Sequence, residues 1–194
     1  FIKDISGKFN FTTTLLGDHN VLNSTAAITA ALIANVPIRN IRNSLESFQG
    51  VKRRFSFLGK IGQASIYDDY AHHPTEIKVS YEIAKQISKK NIIIIFQPHR
   101  FSRTSMLFND FIKILSNIKI LYVLDIYSAG EKPIKNINSK NLVNKLKNNN
   151  RKVYYLKNEK KLELILKPYF NDDNAIVFMG AGSITYMAQN LFIK

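Results

Sequence analysis

A chain of 194 residues with 45% hydrophobic content is large enough to bury the core of one large domain, or of one domain and part of another. It has no cysteine, which excludes a disulfide framework and any thiolate metal site and suits a cytoplasmic setting, and its longest apolar run, 92–96, is far too short to span a bilayer. The net charge of +14 invites a nucleic-acid role, yet the lysines are scattered over solvent-facing helical positions with no aromatic-interleaved basic stripe, so such a role is set aside.

Residues 1–16 alternate weakly (Phe9, Phe11, then Leu15 and Leu16) and read as one or two strands. The chain begins at Phe1, inside a strand-like run and without a signal-peptide pattern, which reads as a piece of something longer. Gly17-Asp18 makes a turn into an apolar, alanine-rich helix that runs to Ile33. Pro37 opens a second helix with Ile38, Ile41, Leu45 and Phe48 on one face, Gly50 ends it, and Val51 to Arg54 reads as a linker. From Phe55 the pattern changes. Segments 55–58 and 64–67 flank Gly59 and Gly62 like a hairpin; helices at 75–88, 104–116, 139–148, 159–168 and 183–192 then alternate with strands at 92–96, 119–126, 152–156 and 175–179. The Asn148-Asn149-Asn150 run reads as the loop ending a helix. Short, almost wholly apolar strands alternating with helices predict an α/β, Rossmann-like fold with a mostly parallel sheet and crossover helices.

In such a sheet ligands bind beyond the carboxyl ends of the strands. Four of those ends carry polar residues: Asp68 to Glu76, Gln97 to Thr104, Tyr127 to Lys132 and Gly180 to Ser183. They are expected to converge on one cleft. Asp68-Asp69 and His72-His73 pack carboxylates and imidazoles into a strand-to-helix turn with Pro74 at the first helical position; the same residues serve equally well as turn and cap. Arg100 and Arg103, with His99 beside them, form a cationic cluster suited to a bidentate grip on carboxylate or phosphate, or else exposed surface cations. Asn20 and Asn23, three apart at a helix start, present amides that pair with a purine edge or cap the helix. Gly180-Ala181-Gly182-Ser183 lacks the third glycine of a dinucleotide fingerprint and reads first as a tight turn. Neither a Walker-A loop nor a His-Glu-x-x-His pattern occurs, and no metal ligand is assigned in this chain.

Taken together, Gly17-Asp18-His19-Asn20-Val21-Leu22-Asn23, Phe48-Gln49-Gly50-Val51-Lys52-Arg53-Arg54-Phe55, Asp68-Asp69-Tyr70-Ala71-His72-His73-Pro74-Thr75-Glu76, Phe96 to Thr104, Ala129-Gly130-Glu131 and Gly180-Ala181-Gly182 resemble the Mur ligase family in the same order along the chain. The resemblance implies residues 1–52 as the helical tail of a central ATPase domain and 53–194 as a carboxyl-terminal Rossmann-like domain. It implies an enzyme that uses ATP and Mg2+ to join L-alanine to UDP-N-acetylmuramate through an acyl phosphate and a tetrahedral intermediate. It further implies Asn20 and Asn23 at the adenine, Arg54 and Asp69 at the nucleotide (Arg53 less securely), and His72 or His73 with Arg100 and Arg103 at the amino acid or the anionic intermediate. The partners implied are the remaining domains of the same enzyme. The alternatives are the related ligase that attaches recycled tripeptide, and a non-catalytic nucleotide-binding module.

Overall fold

The structure, a computed structural model, describes residues 2–4, 7–147, 152–157 and 161–193. It divides into two compact units, Phe1–Val51 and Lys52–Lys194.

The first unit carries a two-stranded antiparallel ribbon, β1 (Ile2–Asp4) with β2 (Gly7–Phe9), and two helices, α1 (Asp18–Ile33) and α2 (Ile38–Ser47). Helix α2 starts at Pro37, whose fixed φ suits the position, and buries Ile41. Helix α1 buries only Ser24 and Ile28 and leaves Val21, Leu22 and Ile33 exposed.

The second unit is built on a six-stranded sheet in the order β3-β4-β8-β5-β6-β7, with β3 (Ser56–Ile61), β4 (Ala64–Asp69), β5 (Ile92–Phe96), β6 (Ile120–Leu124), β7 (Lys152–Leu156) and β8 (Ala175–Met179). β3 pairs with β4 antiparallel, as the glycine-flanked hairpin predicts, with a register shift between Phe57 and Gly59. Every other pairing is parallel. Alternate residues feed two cores, as the period of a strand requires. Ile94, Phe96, Val177 and Met179 pack toward Ile77 and Ala84 of α3 (Pro74–Ile87), Phe111 and Leu115 of α5 (Phe108–Leu115), and Leu142 and Val143 of α6 (Ser139–Leu146). Ile93, Ile95, Ile176 and Phe178 pack toward Leu162 and Leu166 of α7 (Leu162–Leu166) and Ile184 and Met187 of α8 (Ile184–Asn190). Both faces are covered, which is why these strands are almost uniformly apolar.

Three expectations are corrected. The helix expected over 104–116 begins earlier and is broken: α4 (Phe101–Met106) and α5 meet at Leu107, which has φ −107° and ψ 21°. Arg100, in the left-handed region at φ +71°, makes the turn into α4. The strand expected over 119–126 spans only Ile120–Leu124, and the last helix is shorter than 183–192. The Asn148-Asn149-Asn150 loop and the start of the helix expected at 159 lie outside the described residues. Among the described residues no helix is long and apolar enough to cross a membrane.

Candidate functional site at the carboxyl edge of the sheet

Strand β4 ends in two buried aspartates with different tasks. Asp68 accepts the Thr185 hydroxyl at 3.0 and 3.1 Å and faces Arg53 Nε at 3.8 Å. Asp69 accepts the Ala71 N–H at 3.0 Å and the Ser80 hydroxyl of α3, so both its oxygens are engaged inside the unit. Burial raises both carboxyls above the usual range, outweighing the hydroxyls on each and the nearby guanidinium charges.

The turn that follows is a capping box. His73 is the N-cap of α3 and its ring accepts the Thr75 N–H, while Glu76 accepts the N–H groups of His72 and His73 at 3.0 and 3.2 Å. Burial acts to raise Glu76, but those two N–H groups and the charges of His72 and Arg54 outweigh it and hold the carboxyl below its usual range. Pro74 occupies the first turn, as its missing N–H favours. The cap reading thus describes His73, and His72 does something else. Its Nδ1 lies 2.8 Å from the Tyr70 carbonyl, which can only accept, so Nδ1 carries the hydrogen.

From there a line of rings crosses the sheet edge. Tyr70 meets His72 edge-on at 5.2 Å, His72 lies 5.8 Å from His99, and His99 stacks on Tyr127 at 5.5 Å and 13°. Pro98 to Arg100 and Tyr127 are tied by backbone bonds: Tyr127 N–H donates to Pro98 O, and Arg100 N–H to Tyr127 O, both at 2.8 Å. The β8 loop completes the edge. Buried Gln97 donates to Ser183 Oγ and accepts the Ile184 N–H, and a Cβ at Gly182 would lie 2.6 Å from both Gln97 Oε1 and Tyr127 Cγ. Glycine at 182 is therefore required by close approach.

Two arginines stand beside the rings. Arg103 Nη1 donates to His99 Nδ1 at 3.2 Å, and Arg100, half-exposed, lies 4.0 Å from Glu131. Burial, followed by the charges of Arg103, His72 and Arg100, lowers His99 below the ordinary imidazole range against the opposing Glu131, so near neutrality the ring is uncharged with its hydrogen on Nε2. This edge of the sheet is rich in donors: two guanidinium groups and an imidazole N–H, groups of a kind that match a carboxylate or a phosphate.

Of the remaining candidates, Arg53 is turned inward. Its guanidinium donates to Gly180 O at 2.8 Å and Gly182 O at 3.4 Å and lies 4.7 Å over the Tyr70 ring. Arg54 is exposed, 6.0 Å over the same ring. Asn20 and Asn23 belong to the first unit: Asn20 Nδ2 donates to Leu16 O at 2.8 Å, and Asn23 Nδ2 lies 3.5 Å from Asn20 Oδ1, while helix α1 itself has no side-chain cap. Gln97, His99, Tyr127, Glu131, Ser80 and Thr185 also build the site. Their signal was their place just past a strand end or on the first turns of a helix. Among the described residues no group of three or more His, Asp or Glu side chains is arranged to hold a metal, and both aspartates are already occupied by hydroxyl and N–H donors.

A six-stranded, mostly parallel sheet with helices on both faces and arginine and histidine side chains gathered at its carboxyl edge is an α/β, Rossmann-like domain. Residues 53–182 match the family described as Mur ligase, glutamate ligase domain, and the chain belongs to that family. It is 42% identical over 209 aligned residues to a UDP-N-acetylmuramate–L-alanine ligase of Wigglesworthia glossinidia brevipalpis, an alignment that covers 100% of this chain and 42% of that protein. It is also 42% identical to the ligase of the same name from Rickettsia bellii (strain OSU 85-389), over 90% of this chain and 38% of that one. The chain thus spans about two fifths of the length of the curated relatives it matches. A crystal structure of a UDP-N-acetylmuramate-alanine ligase from Thermotoga maritima superposes with a TM-score of 0.77 at 28% identity, over 96% of this chain and 40% of that one. A murein peptide ligase from Psychrobacter arcticus 273-4, 19% identical with a TM-score of 0.60 over 94% of this chain and 38% of that one, shares the fold.

Proposed function

We propose that this chain is the carboxyl-terminal part of an ATP-dependent, amide-forming ligase that joins L-alanine to UDP-N-acetylmuramate in peptidoglycan precursor synthesis. On this reading residues 1–52 are the end of a central ATPase domain and 53–194 the carboxyl-terminal domain. The observation that carries it is the gathering of His72, Arg103 and Arg100 around His99 at the carboxyl edge of the sheet, a donor set for a small amino acid's carboxylate. The substrates named for the relatives at 42% identity supply the rest.

In the reaction the UDP-sugar carboxylate attacks the γ-phosphorus of ATP, releasing ADP and leaving an acyl phosphate. The alanine amine then adds to the acyl carbon, and the tetrahedral intermediate loses phosphate and a proton to give the amide. Here the chain contributes positioning and charge. Arg100 and Arg103 hold the alanine carboxylate. The uncharged His99 donates from Nε2–H, and His72, held by Tyr70 O at Nδ1, stands beside it with its ring 5.8 Å away. His73 keeps to its cap. Exposed Arg54 is the contact to the nucleotide, Asp69 acts on it by holding the Ala71 turn, and Asn20 and Asn23 receive the adenine. Magnesium would neutralise phosphate charge, but no set of the described residues fits a magnesium site, and on this reading its holders, like a Walker-A loop, belong to the rest of the enzyme.

The test is phosphate release and amide formation by the full-length enzyme that carries this chain, with UDP-N-acetylmuramate, ATP and either L-alanine or tripeptide. Turnover with L-alanine is expected. Preference for tripeptide would overturn the reading.

A further inference from the structure

The sequence Ala129-Gly130-Glu131 has no part in the chemistry above, yet the structure builds a costly turn for it. Ala129 and Gly130 lie consecutively in the left-handed region, at φ +48° and +85°, and Glu131 N–H closes the turn on Ser128 O at 3.0 Å. Nothing lies within 4 Å of a Cβ at Gly130, so the glycine answers to backbone conformation rather than to crowding. The turn carries Glu131 to the first turn of α4, which has no side-chain cap of its own. There Oε2 accepts the Ser102 N–H at 2.9 Å and Oε1 the Ser102 hydroxyl at 2.6 Å. Those bonds, with the Arg100 charge, hold the Glu131 carboxyl below its usual range.

On the other side of the contact Arg100 is itself left-handed, a conformation that persists only where the surroundings over-determine it. Its N–H is fixed by Tyr127 O, and its carbonyl accepts the N–H and hydroxyl of fully buried Thr104 at 3.1 and 2.8 Å. Glu131 supplies the remaining restraint, from a loop 29 residues away in sequence. Its distance to Arg100 Nη1, 4.0 Å with the arginine half in water, is too long for the ion pair to dominate.

We infer that Glu131 is a positioning residue: by capping the first turn of α4 through Ser102 it fixes the backbone from which Arg100 and Arg103 reach the amino-acid carboxylate. This rests on the proposed alanine site for its kinetic consequence, though not for its structural one.

In the full-length enzyme Glu131→Ala should raise the alanine KM about tenfold, the worth of one or two hydrogen bonds, with ATP KM and kcat little changed. Glu131→Gln, which keeps one acceptor oxygen, should recover most of the loss. Ser102→Ala should give a smaller rise, and the double variant should be no worse than Glu131→Ala. Equal rises for alanine and ATP, or additive effects of the two single changes, would overturn the inference. Hydrogen exchange reads the clamp whatever the substrate proves to be: the Ser102 and Arg100 amides should exchange about tenfold faster in Glu131→Ala, and unchanged exchange would sink it. An enzyme that ignores alanine yet shows this change in exchange would remove the substrate assignment and leave the clamp standing.

Discussion

Arg103 donates to His99 Nδ1 from 3.2 Å, and since a guanidinium cannot accept, the imidazole must keep its hydrogen on Nε2. The arginine therefore sets which face of His99 meets a ligand, as well as lowering its affinity for a proton.

The pH dependence follows from that. Burial first, then Arg103, His72 and Arg100, depress His99 below its ordinary value of 6.5, against Glu131. The folded state thus binds the proton less readily than the unfolded chain. The stability this group contributes is fully present above the unfolded value and is lost as pH falls through the depressed one. Nitrogen-detected NMR should show His99 as the Nε2–H form at neutral pH, titrating below 6.5. In Arg103→Ala its midpoint should move upward.

The adjacent histidines should separate cleanly. His73→Ala removes an N-cap and should cost about 1 kcal/mol of stability, with little change in alanine KM. His72→Ala leaves the cap and should raise the alanine KM with little change in melting temperature. Denaturation curves and kinetics on the same pair of variants decide it.

Arg53 should behave as a structural pin. Arg53→Ala strips a donor from the Gly180 and Gly182 carbonyls and leaves buried Asp68 with Thr185 alone, a loss of about 2 kcal/mol by urea denaturation. Asp68→Asn removes the buried charge while Arg53 keeps its bonds to the Gly180 and Gly182 carbonyls, and should cost less. Arg54→Ala should leave stability unchanged and raise the ATP KM in the full-length enzyme.

Gly182→Ala tests the close approach at the β8 loop. A methyl group 2.6 Å from Tyr127 Cγ and Gln97 Oε1 forces one of them aside, a cost of about 1–3 kcal/mol. Displacement of Tyr127 would unstack His99, so the His99 ring resonances should shift in this variant and hold steady in an Ala181→Gly control.

The elements of the sheet were legible because strands such as Ile92–Phe96 and Ala175–Met179 are covered on both faces and leave a continuous apolar run. The break at Leu107 was not. Apolar spacing continues through it from Met106 to Phe108, and only the backbone angles reveal the interruption. At the site, motif order brought out Arg100, Arg103 and the histidine pair. Which histidine caps and which joins the rings depends on where Thr75, Glu76 and the Tyr70 carbonyl point, and that is a property of the folded turn. The inward role of Arg53 was hidden for the same reason: its acceptors are carbonyls more than a hundred residues away.

Because β8 lies between β4 and β5, a strand made well after both of them is the one that joins the two halves of the sheet. Until residues 175–179 emerge, Ser65 to Asp69 and Ile92 to Phe96 have no common partner, and α3, which packs on β8, lies over an open seam. A chain that stops short of Ala175 presents two hydrophobic edges to chaperones and proteases, and the arginine-bearing edge of the sheet closes only once residues 175–179 have been made.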